Sequence, residues 1–154
     1  MTLAHVRAAI LAASFALVFA LVFAFGGKPA QTQDAQYQNL PAPILSGNQT
    51  IIGQEIAYPA GTPKVTAAIV VIPPGKDTGW HTHQVPLFVY VLDGEVTVDY
   101  GSKGTKVDQP GAGFLEAENW PHNGINNTDK PARIFAVYMG AEGVATAAPA
   151  AGAE

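Results

Sequence analysis

The chain has 154 residues, with 8 Lys and Arg against 12 Asp and Glu, a formal net charge of −4 and a charged fraction of 13%. That length holds one domain with a real core rather than two, and the acidic balance excludes the basic face a nucleic-acid binder needs. The absence of cysteine excludes disulfides and thiolate metal sites.

Residues 1–26 read as a signal anchor or signal peptide. After His5 and Arg7, residues 8–25 are uncharged and rich in Ala, Leu, Val and Phe. As a helix this run reaches about 27 Å, close to the hydrocarbon thickness of a bilayer. It is longer than a usual signal-peptide apolar region, and Gly26-Gly27-Lys28-Pro29-Ala30 is a poor cleavage site, so a retained anchor is favoured. The domain is then expected outside the cytoplasmic membrane, periplasmic if the source is bacterial. Secretion or periplasmic release after cleavage is the alternative. Residues 27–45 read as a linker rich in Gln, Pro and Ala.

Residues 46–142 read as the folded domain. Strands are expected at 50–58, 64–72, 87–92, 95–100, 113–116 and 132–138, where β-branched and aromatic residues run between turn signals. Pro73-Pro74-Gly75, Gly101-Ser102 and Gly111 punctuate them, and Asp93-Gly94 between two apolar runs predicts a hairpin. Many short strands without a convincing helix point to an all-β barrel or jelly roll. Residues 143–154 form an Ala/Pro/Gly tail that cannot bury enough apolar surface to order itself.

Three of the four histidines fall inside this domain. His81 and His83 are two apart, so on a strand both rings leave one face. His122 follows the turn Asn119-Trp120-Pro121. Imidazoles buried together are costly unless a cation or hydrogen bonds satisfy them. Glu116 lies in an otherwise apolar stretch, either on a half-exposed strand or buried with a partner; in the second case it is the candidate general acid or base. Trp80 and Trp120 are candidates for the pocket mouth or for core packing. Asn126 reads as a turn former.

At these residues the chain resembles the cupin superfamily. Gly75, His81-Thr82-His83 and Gly94 follow the spacing of the first cupin motif. Gly111, His122 and Asn126 follow that of the second, with Ala117-Glu118-Asn119 where that motif has a proline and a glycine. The resemblance spans nearly all of residues 64–140 and implies a single cupin barrel, with a small-molecule ligand or substrate and a possible homodimer. It also implies a divalent metal held by His81, His83 and His122. Fe(II) is favoured, and Mn, Zn, Ni and Cu are alternatives that imidazole also suits. The family's glutamate ligand falls at position 87, where this chain has Leu87. Three outcomes stay open: a three-histidine metal site, a site completed by Glu116 or Glu118, or a barrel that binds a small molecule without metal. The matching functional expectations are a small-molecule dioxygenase or metal-assisted lyase or isomerase, and a non-catalytic binding or sensing protein.

Overall fold

The structure is a computed structural model that describes residues 42–152. The expected membrane segment at 1–26 and most of the linker lie outside the described residues. Among those described, no helix is long and apolar enough to cross a membrane. Nine strands carry the fold: β1 (Pro63–Ile72), β2 (His81–Thr82), β3 (Leu87–Asp93), β4 (Val96–Asp99), β5 (Thr105–Asp108), β6 (Gly113–Leu115), β7 (Asn123–Ile125), β8 (Ala132–Ala141) and β9 (Ala148–Pro149). They form a four-stranded sheet in the order β1-β8-β3-β6, a three-stranded sheet β5-β4-β7 and a pair β2-β9, all with antiparallel neighbours.

Period-2 alternation sets what faces inward. Leu87, Val89 and Val91 of β3 and Val96 and Val98 of β4 are buried, while Phe88 and Tyr90 between them are half-buried. One core cluster joins the two larger sheets, packing Ile72 of β1 and Ala132 of β8 against Val96 and Val98 of β4, with Tyr100 beside them. A second gathers Leu87, Val89 and Val91 with Phe114 and Ala136. The space between them is the interior cavity in which the histidines meet.

Four expectations need correction. Asp93-Gly94 does not close a hairpin: β3 pairs with β6 and β8, and β4 with β5 and β7. The dipeptide is a corner where the chain leaves one sheet for the other. Glycine is needed there for a different reason. Gly94 has φ 74°, and a Cβ on it would sit 2.7 Å from the Pro131 carbonyl oxygen. Gly94→Ala is therefore expected to cost about 2 kcal/mol or more, through strain and a backbone clash together. Denaturant unfolding would show it as a lowered midpoint with unchanged slope.

Residues 50–58 do not form the expected strand. Thr50 N donates to the Gln54 carbonyl and Gly53 N to the Thr50 carbonyl, each at 2.8 Å, and Gly53 at φ 82° closes the turn. The apolar pair Ile51-Ile52 packs on the core from this turn rather than from a ladder. The short strands β2, β5 and β7 were not anticipated, since two to four residues are too few for a visible period.

The tail is the fourth difference. Within 143–154, read from composition as unable to order itself, Ala148 and Pro149 pair with Thr82 and His81. Its order comes from backbone hydrogen bonds to an exposed strand edge, which an argument about apolar burial does not count.

Candidate metal centre

The three histidines reach one point from three pieces of backbone. His81 sits on β2, His83 follows it and bridges to Glu118, and His122 precedes β7 and bridges back to His81. The main chains of His81 and His122 exchange two hydrogen bonds of 3.0 Å, which fixes the spacing of those rings. Ring centroids lie 4.5 Å apart for His81 and His122, 4.9 Å for His81 and His83, and 5.0 Å for His83 and His122. One ligand atom from each comes within 4.8 Å of the others, so the set could hold a metal ion. The connection into His122 contains Asn119 at φ 50°. Asparagine tolerates this left-handed conformation and stands where the second motif has glycine.

Each ring is oriented by a main-chain carbonyl on Nδ1. His81 Nδ1 is 2.7 Å from the Gly79 oxygen, His83 Nδ1 2.8 Å from the Thr146 oxygen, and His122 Nδ1 2.8 Å from the Trp120 oxygen. A carbonyl only accepts, so each neutral ring carries its proton on Nδ1 and leaves the Nε2 lone pair free. His122 Nε2 is buried with no hydrogen-bond partner. An orphaned buried acceptor beside two similar rings is costly alone and is satisfied by a cation. The donor set thus fits a divalent metal. Burial keeps all three rings neutral, as ligation requires: it lowers the pKa of His81 and His122 and pushes His83 down to about 4, with the neighbouring imidazoles adding to the shift at His81 and His83.

The cavity before the rings measures ≈ 90 Å³. Its walls are apolar, including Leu87, Val89, Val98, Phe114 and Ile134, and neither Lys nor Arg lines it. Leu87 is buried, 3% exposed, and lines the same cavity as the three histidines. Outside His81 and His83 lies a wider, more open cavity of ≈ 520 Å³, bordered by Trp80, Tyr138 and Ala147–Pro149 of the tail. Trp80 thus stands at the mouth. Trp120 instead packs on the core and donates from Nε1 to the Tyr100 carbonyl at 2.9 Å.

Glu116 is buried, 5% exposed, and lines the cavity beside the histidine set. Its Oε1 accepts from the Tyr100 hydroxyl and from the Ala117 N–H, both at 2.7 Å. Burial outweighs these bonds and pushes its pKa up to about 7. Glu118 points elsewhere: its Oε2 accepts from Ala57 N at 3.4 Å, and it does not line the cavity. Asn126 is fully buried in a turn-forming role, donating to the Ile72 and Lys130 carbonyls and accepting from Thr128. Tyr100 and Tyr138 read from the sequence as strand residues that could touch substrate, without the partners the structure gives them, and Thr146 escaped the sequence reading. Tyr100, the partner of Glu116, is separated from it in the chain by β5 and β6. Tyr138 packs edge-on to His83 with centroids 5.5 Å apart. Thr146 acts through its carbonyl, which no side-chain motif can reveal.

An all-β barrel enclosing three converging imidazoles that could hold a metal ion is the class of protein the fold and site define. Residues 68–138 match the family model for the cupin domain, and the chain carries a domain of the cupin superfamily. Solved structures with a similar fold include an oxalate decarboxylase–formate complex from Lactobacillus farciminis, at 24% identity over 58% of this chain and 27% of that one, TM-score 0.49. The DMSP lyases RdDddP and RnDddQII show 20% identity over 56% of this chain and 44% of that one, TM-score 0.50. A cupin domain from Bordetella pertussis Tohama I shows 24% identity over 56% of this chain and 99% of that one, TM-score 0.44. At 20% identity the likeness to the DMSP lyase is one of fold alone, and the chain spans only about a quarter of the oxalate decarboxylase and under half of the DMSP lyase. No curated protein matches the chain.

Proposed function

We propose that the protein is a metal-dependent enzyme acting on a small, partly apolar molecule by proton transfer, as a lyase or isomerase does. The observation that carries this reading is a buried carboxyl, Glu116, lining the same cavity as three histidines whose rings are pinned from behind. His81, His83 and His122 would hold the ion, and a divalent metal there supplies a positive charge that polarises an oxygen of the substrate. The chain's own residues do the rest. Glu116, buried in the same cavity, gives or takes a proton, and Tyr100 holds its Oε1 in place. Leu87, Val89 and Phe114 exclude water and favour an apolar substrate body. With no Lys or Arg lining the cavity, a second anionic group on the substrate finds no partner there. Fe(II) remains the first metal to test, which keeps dioxygen chemistry in the assay.

We place the domain outside the cytoplasmic membrane, tethered by residues 8–25, a reading supported by their uncharged, apolar composition. A homodimer belongs to the same proposal. It is supported by Val65, Ile69 and Val71, which are 67, 48 and 52% exposed on edge strand β1.

The test is the full-length chain loaded in turn with Fe(II), Mn(II), Zn(II) and Ni(II), incubated with small enolisable and β-substituted acids. Solvent-deuterium exchange is followed by NMR, with oxygen uptake in parallel. Metal-dependent exchange or elimination that disappears in Glu116→Gln supports the proposal. A ligand-dependent rise in melting temperature with no product would replace it with the binding-protein reading, which the mostly apolar cavity also fits.

Leu87→Glu supplies a further check. A carboxylate at this buried position is costly without metal and attractive to a cation. The variant should melt several degrees lower than the parent when metal-free, and bind Zn(II) at least about tenfold more tightly by calorimetry. Unchanged affinity would mean that Leu87 does not face the ion.

A further inference from the structure

The domain that matches the cupin family ends at residue 138, yet one hydrogen bond that orients a histidine comes from beyond it. After β8 the chain turns at Gly143, φ 78°, and runs back to pair with β2 at the border of the outer cavity. It touches the site three times. The Thr146 carbonyl accepts from His83 Nδ1 at 2.8 Å. Ala148 and Pro149 pair with Thr82 and His81, the strand that carries a histidine. Ala150 N donates to the Trp80 carbonyl at 3.0 Å, and a Cβ on Gly152 would lie 3.4 Å from the Trp80 ring, so the chain lies flat against that indole.

We infer that residues 143–152 are a strap that completes the metal centre, orienting His83 through the Thr146 carbonyl and walling the outer cavity through Ala147–Pro149. This rests on the reading of the three histidines as a metal site. His81 and His122 take their orienting carbonyls from Gly79 and Trp120, each two residues away in the chain. These two contacts are local and survive any change in the tail. His83 has no such local partner. Its carbonyl is 63 residues distant, on a segment held by an edge pairing of two residues on each side. Loss of the strap therefore removes one orienting bond of three and opens the outer cavity to solvent. Loss of the carbonyl that orients a metal-ligating histidine weakens metal binding by about 10–100-fold.

The experiment compares the full-length chain, a truncation ending at Val144, and Ala150→Pro, which removes the donor to Trp80 and loosens the adjoining pair while keeping the chain length. Zn(II) affinity is measured by competition with a chromophoric chelator. The tautomer of each imidazole in the metal-free protein is read at pH 8 from two-bond proton–nitrogen NMR correlations. The inference expects the truncation to bind Zn(II) about 10–100-fold more weakly, with Ala150→Pro falling between it and the parent. It also expects His83 alone to lose its pure Nδ1–H tautomer while His81 and His122 keep theirs. Affinity within twofold of the parent in both variants, or a His83 tautomer unaffected in both, would overturn it. If the truncation fails to fold, Ala150→Pro decides by the same two readouts. If the full-length chain itself binds no Zn(II), the metal reading falls, and the His83 tautomer still decides whether the strap orients that ring.

Discussion

Replacing His122 with Ala should leave a folded barrel that divalent metal no longer stabilises. In the parent, an ion bound to the native state alone adds about 3–4 kcal/mol at a free concentration 100 to 1,000 times its dissociation constant. For a domain of this size that is a rise in melting temperature of about 10 °C or more. His122 is the most buried of the three rings, 1% exposed, and its Nε2 has no other partner. Truncation therefore removes an inward-facing ligand with nothing to replace it. The metal-free variant loses the packing of a buried ring and the Nδ1 bond to the Trp120 carbonyl, offset in part by removal of the unpaired Nε2. Scanning calorimetry with and without Zn(II) should thus show a metal-induced rise in the parent only, whatever the metal-free melting point of the variant. An equal rise in both would place the ion elsewhere.

Glu116→Gln should keep the metal and lose turnover, by about 10²–10⁴-fold, the usual contribution of a positioned acid or base. The same change has a signature in stability. The Glu116 pKa is raised from 4.5 to about 7, so the metal-free native state binds a proton more tightly than the unfolded chain between those values. Its contribution is most favourable below 4.5 and is lost as pH rises to 7, leaving a charged, buried carboxylate that costs about 3 kcal/mol at pH 8. His83 acts in the opposite sense. Its pKa falls from 6.5 to about 4, so stability present above 6.5 is lost as pH falls towards 4. In the parent the two trends oppose each other between 6.5 and 4.5. The Gln variant should be more stable than the parent at pH 8 without metal, and should lose stability more steeply on acidification. Parallel pH profiles would show that Glu116 is not the buried acid of this cavity.

What could be read before the fold was known follows from how each feature is encoded. The three histidines were legible because their motif spacing is local, and the structure brings all three rings within 5.0 Å of one another. The orientation of Glu116 was not. Phe114, Leu115, Glu116 and Ala117 are all buried, so no alternation reveals which way the carboxyl points, and Tyr100 reaches it only through tertiary packing. Asp93-Gly94 misled because a glycine needed for left-handed φ and close approach looks the same in a hairpin and at a corner between sheets. The tail misled because alanine and proline say little about edge pairing. Its partner strand, β2, has only two residues, and its bond to His83 uses a carbonyl common to every residue type.

The central claim is that His81, His83 and His122 form one metal centre, and elemental analysis of the purified full-length chain tests it most directly. The account predicts near-stoichiometric divalent metal in the parent, and its loss in both His81→Ala and His122→Ala. A parent that folds yet holds no metal after incubation with Fe(II), Mn(II), Zn(II) and Ni(II), or variants that retain it, would contradict that claim.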